Sequence, residues 1–236
     1  MAITYRPAKS EDLEEAERVV QEAGNELRMR YDRQPWPAPP PIAFPKFCLA
    51  EDPDGLWVAE DGDTIVGFGF SWMTEKFWFL SQLFVRPGAQ AKGIGQALLS
   101  KALLQAGRGG ATNRALITPA YNIGSTGLYL NNGLYPREPL YRMAAPAQAV
   151  AQNLADVGYD TTPIAPWPEP RKWMAEIDEA LLGLRQTCIT GFCSATARRA
   201  RFGSSERAAP PAMPISPPRA MSARWQSHRI PMPKRS

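Results

Sequence analysis

The sequence predicts a mixed α/β (α+β) fold, a largely antiparallel central sheet flanked by helices and followed by a disordered basic C-terminal tail. Three observations carry that prediction. In residues 77–85, FWFLSQLFV, period-2 alternation sets Phe77, Phe79, Leu83 and Val85 on one face and Trp78, Leu80 and Phe84 on the other. A strand apolar on both faces is a central one. After Arg86-Pro87-Gly88, a loop with glycines at 93 and 95 opens a helix whose apolar positions Leu98, Leu99, Ala102, Leu103 and Ala106 recur at three and four. From Gln186 onward neither period survives, and Pro, Arg, Ser and Ala accumulate.

The other elements follow in order. Residues 3–6 form a short first strand, and Ser10 is placed to cap a helix with Glu11, Asp12 and Glu14 in its first turn, ending near Tyr31. Residues 34–47 carry six prolines together with Trp36 and Phe44, so no regular helix is expected through them. They read equally as a substrate lid or as an irregular cover over the sheet. Two strands, 56–60 and 65–72, flank the Asp61-Gly62-Asp63 hairpin signal. In the second, Val66, Phe68, Phe70 and Trp72 make a bulky face and Ile65, Gly67, Gly69 and Ser71 a smaller one. A strand at 115–118 is added in parallel after the helical crossover. Further helices are expected at 147–157 and 170–184, the latter with Trp173, Ile177, Leu181 and Leu184 on one stripe. The resulting division is a domain at 1–145, a helical linker or remnant of a second half at 146–185, and a tail at 186–236.

Composition narrows the function classes. The chain has 236 residues, 44% hydrophobic and 21% charged, which is enough for a core. No window approaches the run of about 18 apolar residues a membrane helix needs. The N-terminus turns acidic at once and lacks an apolar signal core, so the expected location is cytoplasmic. Cys48, Cys188, Cys193 and His228 are too scattered for a disulfide framework or a metal site, and Cys48 reads as a small buried hydrophobe. The net charge of +4 belongs to the tail, whose arginines lack the aromatic interleaving of a base-stacking surface.

A glycine-rich helix start presents unpaired N–H groups at the positive end of the dipole, a ready site for phosphate. Gly95 is followed by Gln96 and Ala97, not by the Lys and Ser/Thr of a P-loop, and no G-x-G-x-x-G dinucleotide fingerprint is present. The spacing is Q-x-x-G-x-G, Gln90 to Gly95, directly after a strand ending Val85-Arg86-Pro87. Downstream lie Asn122, Ser125, Leu128 and Tyr129, then Gly133 and Tyr135. Together the two segments resemble the pyrophosphate loop and the N-x-x-A-x-x-L-Y-x-x-x-G-F segment of the GNAT superfamily of N-acetyltransferases, with Ser125 in place of the alanine. Residues 170–185 are similar to the entry to the second half of bacterial tandem-domain members. That likeness stops at Arg185, which suggests a second half lost through a reading-frame change. A continuous acetyltransferase half in a neighbouring genomic frame supports that origin, and an intact frame with homologous tails removes it.

The resemblance implies acetyl-CoA as co-substrate, no metal, and direct attack by a primary amine on the thioester in a ternary complex. It assigns cofactor contacts to Leu83, Phe84, Val85, Gln90, Ala91, Lys92, Gly93, Ile94, Gly95, Gln96, Asn122 and Ser125. Tyr129 is the expected catalytic residue, donating to the departing sulfur. Its ordinary pKa, about 10, keeps it protonated at neutral pH. Tyr129 also reads as a helix-packing residue, Asn122 as a helix cap, and Lys92 as a solvated side chain. The general base is open. Family members often carry a carboxylate on the central strand, where this chain has Ser81 and Gln82. Glu26, Asp32 or a chain of waters could serve. Acceptors from small molecules to peptide amines remain open, Trp36, Phe44, Trp57, Trp72 and Trp78 being pocket or core. The alternative function is a non-catalytic acyl-CoA-binding domain. Exposed apolar surface predicts a homodimer, and neither membrane nor nucleic acid is an expected partner.

Overall fold

The computed structural model describes residues 2–141, 143, 145 and 172–182. The expected helix at 147–157 and the tail at 186–236 lie outside the described residues. One five-stranded sheet organises the domain, in the order β1 (Ile3–Pro7), β2 (Leu56–Asp61), β3 (Thr64–Thr74), β4 (Phe77–Val85), β5 (Asn113–Leu116). The first three pairings are antiparallel and the last is parallel, as the α3 (Ile94–Arg108) crossover requires. Helices α1 (Leu13–Arg30) and α2 (Ala43–Glu51) cover one face, and α3 with α4 (Ile123–Asn131) covers the other. A separate helix, α5, spans Lys172–Leu182 and exposes Trp173 and Ile177. Among the described residues no helix is long and apolar enough to cross a membrane.

The start of α1 differs from expectation. Ser10 makes no cap; it begins a 3-10 turn, Ser10–Asp12. The Asp12 carboxylate instead accepts from the Lys9 backbone N–H at 2.7 Å and from the Arg6 guanidinium at 2.6 and 2.9 Å. The negative charge of the carboxylate makes it a stronger acceptor than a neutral hydroxyl, and hydrogen bonding to the Arg6 guanidinium holds the Asp12 carboxyl below its usual range. The proline-rich loop is also shorter than expected. α2 begins at Ala43 and takes Pro45 into its first turn, where a missing N–H leaves no intrahelical bond unmade. The loop is fastened to α1 through Trp36: its ring lies over Gly24, its N–H donates to Asn25 Oδ1 at 2.6 Å, and its carbonyl accepts from Gln21 and Asn25 at 3.1 Å each.

Two β-bulges change which side chains share a face. In the β3–β4 ladder Phe70 pairs with Gln82 and Ser71 with Leu80, leaving Ser81 as the extra residue. A single insertion inverts the period-2 parity. Trp78 and Leu80 therefore share the α3 side with Leu83 and Val85, while Phe77 and Phe79 lie opposite, against Trp72. Strict alternation across residues 77–85 was the wrong face assignment. The β2–β3 ladder has a second irregularity, at Val66: Ala59 pairs with Gly67 and Glu60 with Ile65. Ile65 joins Phe68 and Phe70 under α1, and Val66 moves to the α3 side.

The small face of β3 is what lets α3 approach. A Cβ on Gly67 would come within 3.0 Å of Leu98 and 3.1 Å of Ile94. Next along that face, buried Ser71 donates to Gln105 Oε1 at 2.7 Å, which also accepts from the Trp78 indole at 3.0 Å. Gln105 in turn donates to Asp52, so one amide ties α3 to β3, β4 and the residue after α2. The five aromatics weighed as an acceptor pocket divide among three clusters: Trp36, Phe44 and Trp72 under α1, Trp78 under α3 and Trp57 near β1. They do not converge on one cavity.

Candidate active site

The site is built where β4 loses its second neighbour. β5 pairs with residues 77–80 of β4 and ends at Leu116, so residues 81–85 have no strand partner on that side among the described residues. The Ser81 bulge falls at this parting. Bulges re-aim a strand beside functional sites, and an edge left open in a central strand offers N–H and C=O groups to an extended ligand.

The strand leads directly into the glycine loop. A 3-10 turn, Pro87–Ala89, folds the chain back, and Gln90 Nε2 donates to the Val85 carbonyl at 2.9 Å. Ala91 and Gly93 both take left-handed backbone, φ 61° and 81°. A left-handed alanine is uncommon and costs energy that the surrounding structure must hold, which is characteristic of ligand clamps. Gly93 is the N-cap of α3, makes no side-chain cap and is followed by no acidic residue in the first turn. The first intrahelical bond runs from the Ala97 N–H to the Gly93 carbonyl. Helix geometry leaves the N–H groups of Ile94, Gly95 and Gln96 without intrahelical partners. Lys92 Nζ rests 3.2 Å from the Gly88 carbonyl, on the loop itself.

α4 is held against this corner. A Cβ added to Gly95 would meet Leu128 of α4 at 3.7 Å and Val85 of β4 at 3.9 Å. Gln96 and Asn132 exchange amide hydrogen bonds of 3.0 and 3.1 Å between the two helices. Asn122 caps α4: its Oδ1 accepts from the Ser125 N–H at 3.4 Å and its Nδ2 donates to Ser125 Oγ at 2.8 Å. One turn further, Tyr129 is buried among Trp78, Leu80, Leu99 and Ala102, with its hydroxyl hydrogen-bonded to Ser125. Burial pushes the phenol up to about 12, so it is a proton donor throughout the neutral range. The structure thus brings Val85, Gln90, Gly95 and Gln96 together with α4, and places Asn122, Ser125 and Tyr129 in one chain of contacts.

The carboxylates considered from the sequence lie elsewhere: Glu26 pairs with Arg30 on the outer face of α1, and Asp32 sits in the turn after it. The carboxylate that does reach β4 is Glu17, which sequence reasoning missed. It is 1% exposed, and its Oε2 accepts from Gln82 Nε2 at 3.1 Å while its Oε1 is buried without a partner. Burial raises its carboxyl to about 7. It lines a cleft of about 250 Å³ with Glu14, Arg18, Pro39, Pro40 and Ile42. One sequence signal could have found it: Glu17 occupies the buried stripe of α1 with Leu13, Ala16, Val20 and Gly24, where an apolar residue is expected. Cys48 is buried, with its thiol pushed up to about 12, so it is an inert packing residue.

Comparison with known proteins defines the class. The family model described as Acetyltransferase (GNAT) family matches residues 22–134. That segment takes in the second half of α1, α2, β2 to β5, the loop and α4, and over it the chain matches the GNAT family of acetyltransferases. A relative, the uncharacterized N-acetyltransferase YhfO of Bacillus subtilis (strain 168), is 34% identical over 97 residues. The match covers 39% of this chain and 65% of that relative. Solved structures of similar fold include a transcriptional regulator from Bacillus halodurans C-125, at 21% identity, 61% of this chain, 100% of that one and a TM-score of 0.47. Another is the PaiA N-acetyltransferase from Thermoplasma acidophilum in complex with coenzyme A, at 19%, 56%, 89% and 0.44 respectively.

Proposed function

We propose that this chain is an N-acetyltransferase that takes acetyl-CoA as co-substrate and passes the acetyl group directly to a primary amine in a ternary complex. One observation carries the reading: a half-open β4 leads through the Pro87–Ala89 turn and the glycine loop into a helix start that carries no side-chain cap. In this reading the N–H groups of residues 91–96 receive the pyrophosphate, favoured by the dipole of α3 and by the absence of a competing acid in its first turn. Residues 83–85 offer backbone groups to the amide-bearing arm of the co-substrate and to the thioester carbonyl. Asn122 and Ser125 shape the start of α4, and the Gln96–Asn132 pair holds that helix against α3; the role assigned to the Tyr129 hydroxyl in this reading is to donate to the leaving sulfur.

Acid assistance by one positioned side chain contributes about 10²–10⁴-fold. Tyr129→Phe keeps the ring packed among Trp78, Leu80 and Leu99 while removing the proton donor. The expected result is a fall in kcat of about 100-fold in an assay of thiol release from acetyl-CoA with a panel of primary amines, with acetyl-CoA affinity unchanged. An unaltered kcat removes the acid role of Tyr129. The neutral pair Ser81 and Gln82 on β4 favours the second reading, a domain that binds acyl-CoA without turning it over; saturable binding with no thiol release from any amine is its result.

A further inference from the structure

Glu17 is a buried carboxyl that costs the fold stability without an evident structural return. It is buried, and among the described residues it has no cationic partner and one of its oxygens lacks any hydrogen bond. The charged groups around it are otherwise engaged or turned outward. On α1, Glu14 is exposed, while Arg18 pairs with Glu14 and Glu15. At the end of β4, Arg86 pairs with Glu15 at 2.7 Å and Glu22 at 2.8 Å. From the loop after α1, Pro39, Pro40 and Ile42 present no charge, and β3 presents Phe68 and Phe70. A carboxyl kept in such a place, on the lining of a cleft, is a mark of chemistry more than of packing.

Its position agrees with a particular role. The group that Glu17 holds, Gln82, is the residue immediately after the Ser81 bulge, within the stretch of β4 that β5 leaves open. The carboxylate therefore reaches the open segment from the α1 side, and the cleft beside it offers a path from solvent. We propose that Glu17, oriented by Gln82, is the general base that takes the proton of the acceptor, a primary ammonium group entering through the cleft between α1 and the segment at Pro39, Pro40 and Ile42.

This inference rests on the acetyl-transfer reading above. The protons balance as follows. The Glu17 carboxylate removes one proton from R–NH3+, and the freed lone pair attacks the thioester carbonyl carbon. The C–N bond forms and the C–S bond breaks. The departing sulfur takes the phenolic proton of Tyr129, and the surplus proton on the new amide nitrogen restores the phenol. Glu17 then releases its proton to solvent, giving amide, thiol and one free proton. Because only the carboxylate form can act, kcat/KM rises as the pH passes through the titration of Glu17 near 7.

The test is the pH dependence of thiol release by the full chain, with acetyl-CoA and a panel of propylamine, benzylamine, tyramine and lysine methyl ester. Glu17→Gln is expected to lower kcat by 10²–10⁴-fold and to abolish the rising limb near pH 7, with acetyl-CoA affinity unchanged. Gln82→Leu keeps the carboxylate but removes the hydrogen bond that orients it and favours its charged form, so the limb moves to higher pH and the plateau falls, though less than in Glu17→Gln. A wild-type enzyme that turns over while Glu17→Gln keeps both rate and limb overturns the base assignment and leaves acetyl transfer standing. Acetyl-CoA binding without acetylation of any panel amine overturns both.

Discussion

Gly93→Glu is expected to weaken acetyl-CoA binding by at least 100-fold, measured calorimetrically on the full chain. Two effects act in the same direction. At φ 81° any Cβ is strained, by about 1–2 kcal/mol in a left-handed conformation. The new carboxylate also stands at the N-terminus of α3, where it takes up the N–H groups and repels the pyrophosphate. A 100-fold loss corresponds to about 2.7 kcal/mol, which strain and repulsion together reach. Gly93→Ala separates them, because open space surrounds the position and only the backbone term remains; a loss of about tenfold is expected. Gly88→Ala, also facing open space but with no positive φ, serves as the control and binds as the wild type does. Equal affinity of Gly93→Glu and wild type would remove the phosphate from this loop.

The second large effect is on stability. Glu17 titrates near 7 in the folded protein, and a glutamate in the unfolded chain near 4.3. A carboxyl whose folded pKa is raised contributes stability below the unfolded value and loses it as the pH rises through the folded one. The rise from 4.3 to about 7, at 1.36 kcal/mol per unit, makes the cost of the charged form roughly 3–4 kcal/mol by pH 8. Glu17→Gln is neutral throughout and nearly isosteric. Urea denaturation should therefore find the variant more stable than wild type by about 3 kcal/mol at pH 8, with the difference closing toward pH 4.5. Using the difference between the two proteins cancels the opposite contributions of Asp12 and Glu15, whose carboxyls Arg6 and Arg86 hold low. Parallel stability curves for the two proteins contradict the assignment of a buried, chargeable carboxyl. A residue that destabilises the fold at working pH and improves catalysis is the usual stability–activity trade-off.

What the sequence made legible, and what it hid, divides along physical lines. Period-2 and 3.6-residue patterns depend on burial alone, so β3, β4 and α3 could be read in place, as could the parallel addition of β5. The glycine loop was legible because Gly93 answers a backbone requirement no other residue meets without strain. The bulge at Ser81 was not, since a period-2 reading assumes that no residue is inserted, and serine carries no mark of one. Gln82 then turned to the α1 side, and its partner Glu17 lies 65 residues away in sequence. No local pattern reports a contact of that range. The cap at Asp12 was hidden for a similar reason: its partner Arg6 stands on β1, before the turn that brings the two together. In each case the residue types were visible, and the geometry that gave them a partner was not.

In the proposed function the α3 loop and the open half of β4 together hold an acyl-CoA. The most direct measurement is a titration of acetyl-CoA into the 15N-labelled full chain, followed by amide chemical-shift changes. Saturable shifts are expected at residues 81–85 and 91–96, with weaker effects at Asn122 and Ser125. No saturable change at millimolar acetyl-CoA, or saturable changes confined to other parts of the domain, would contradict it.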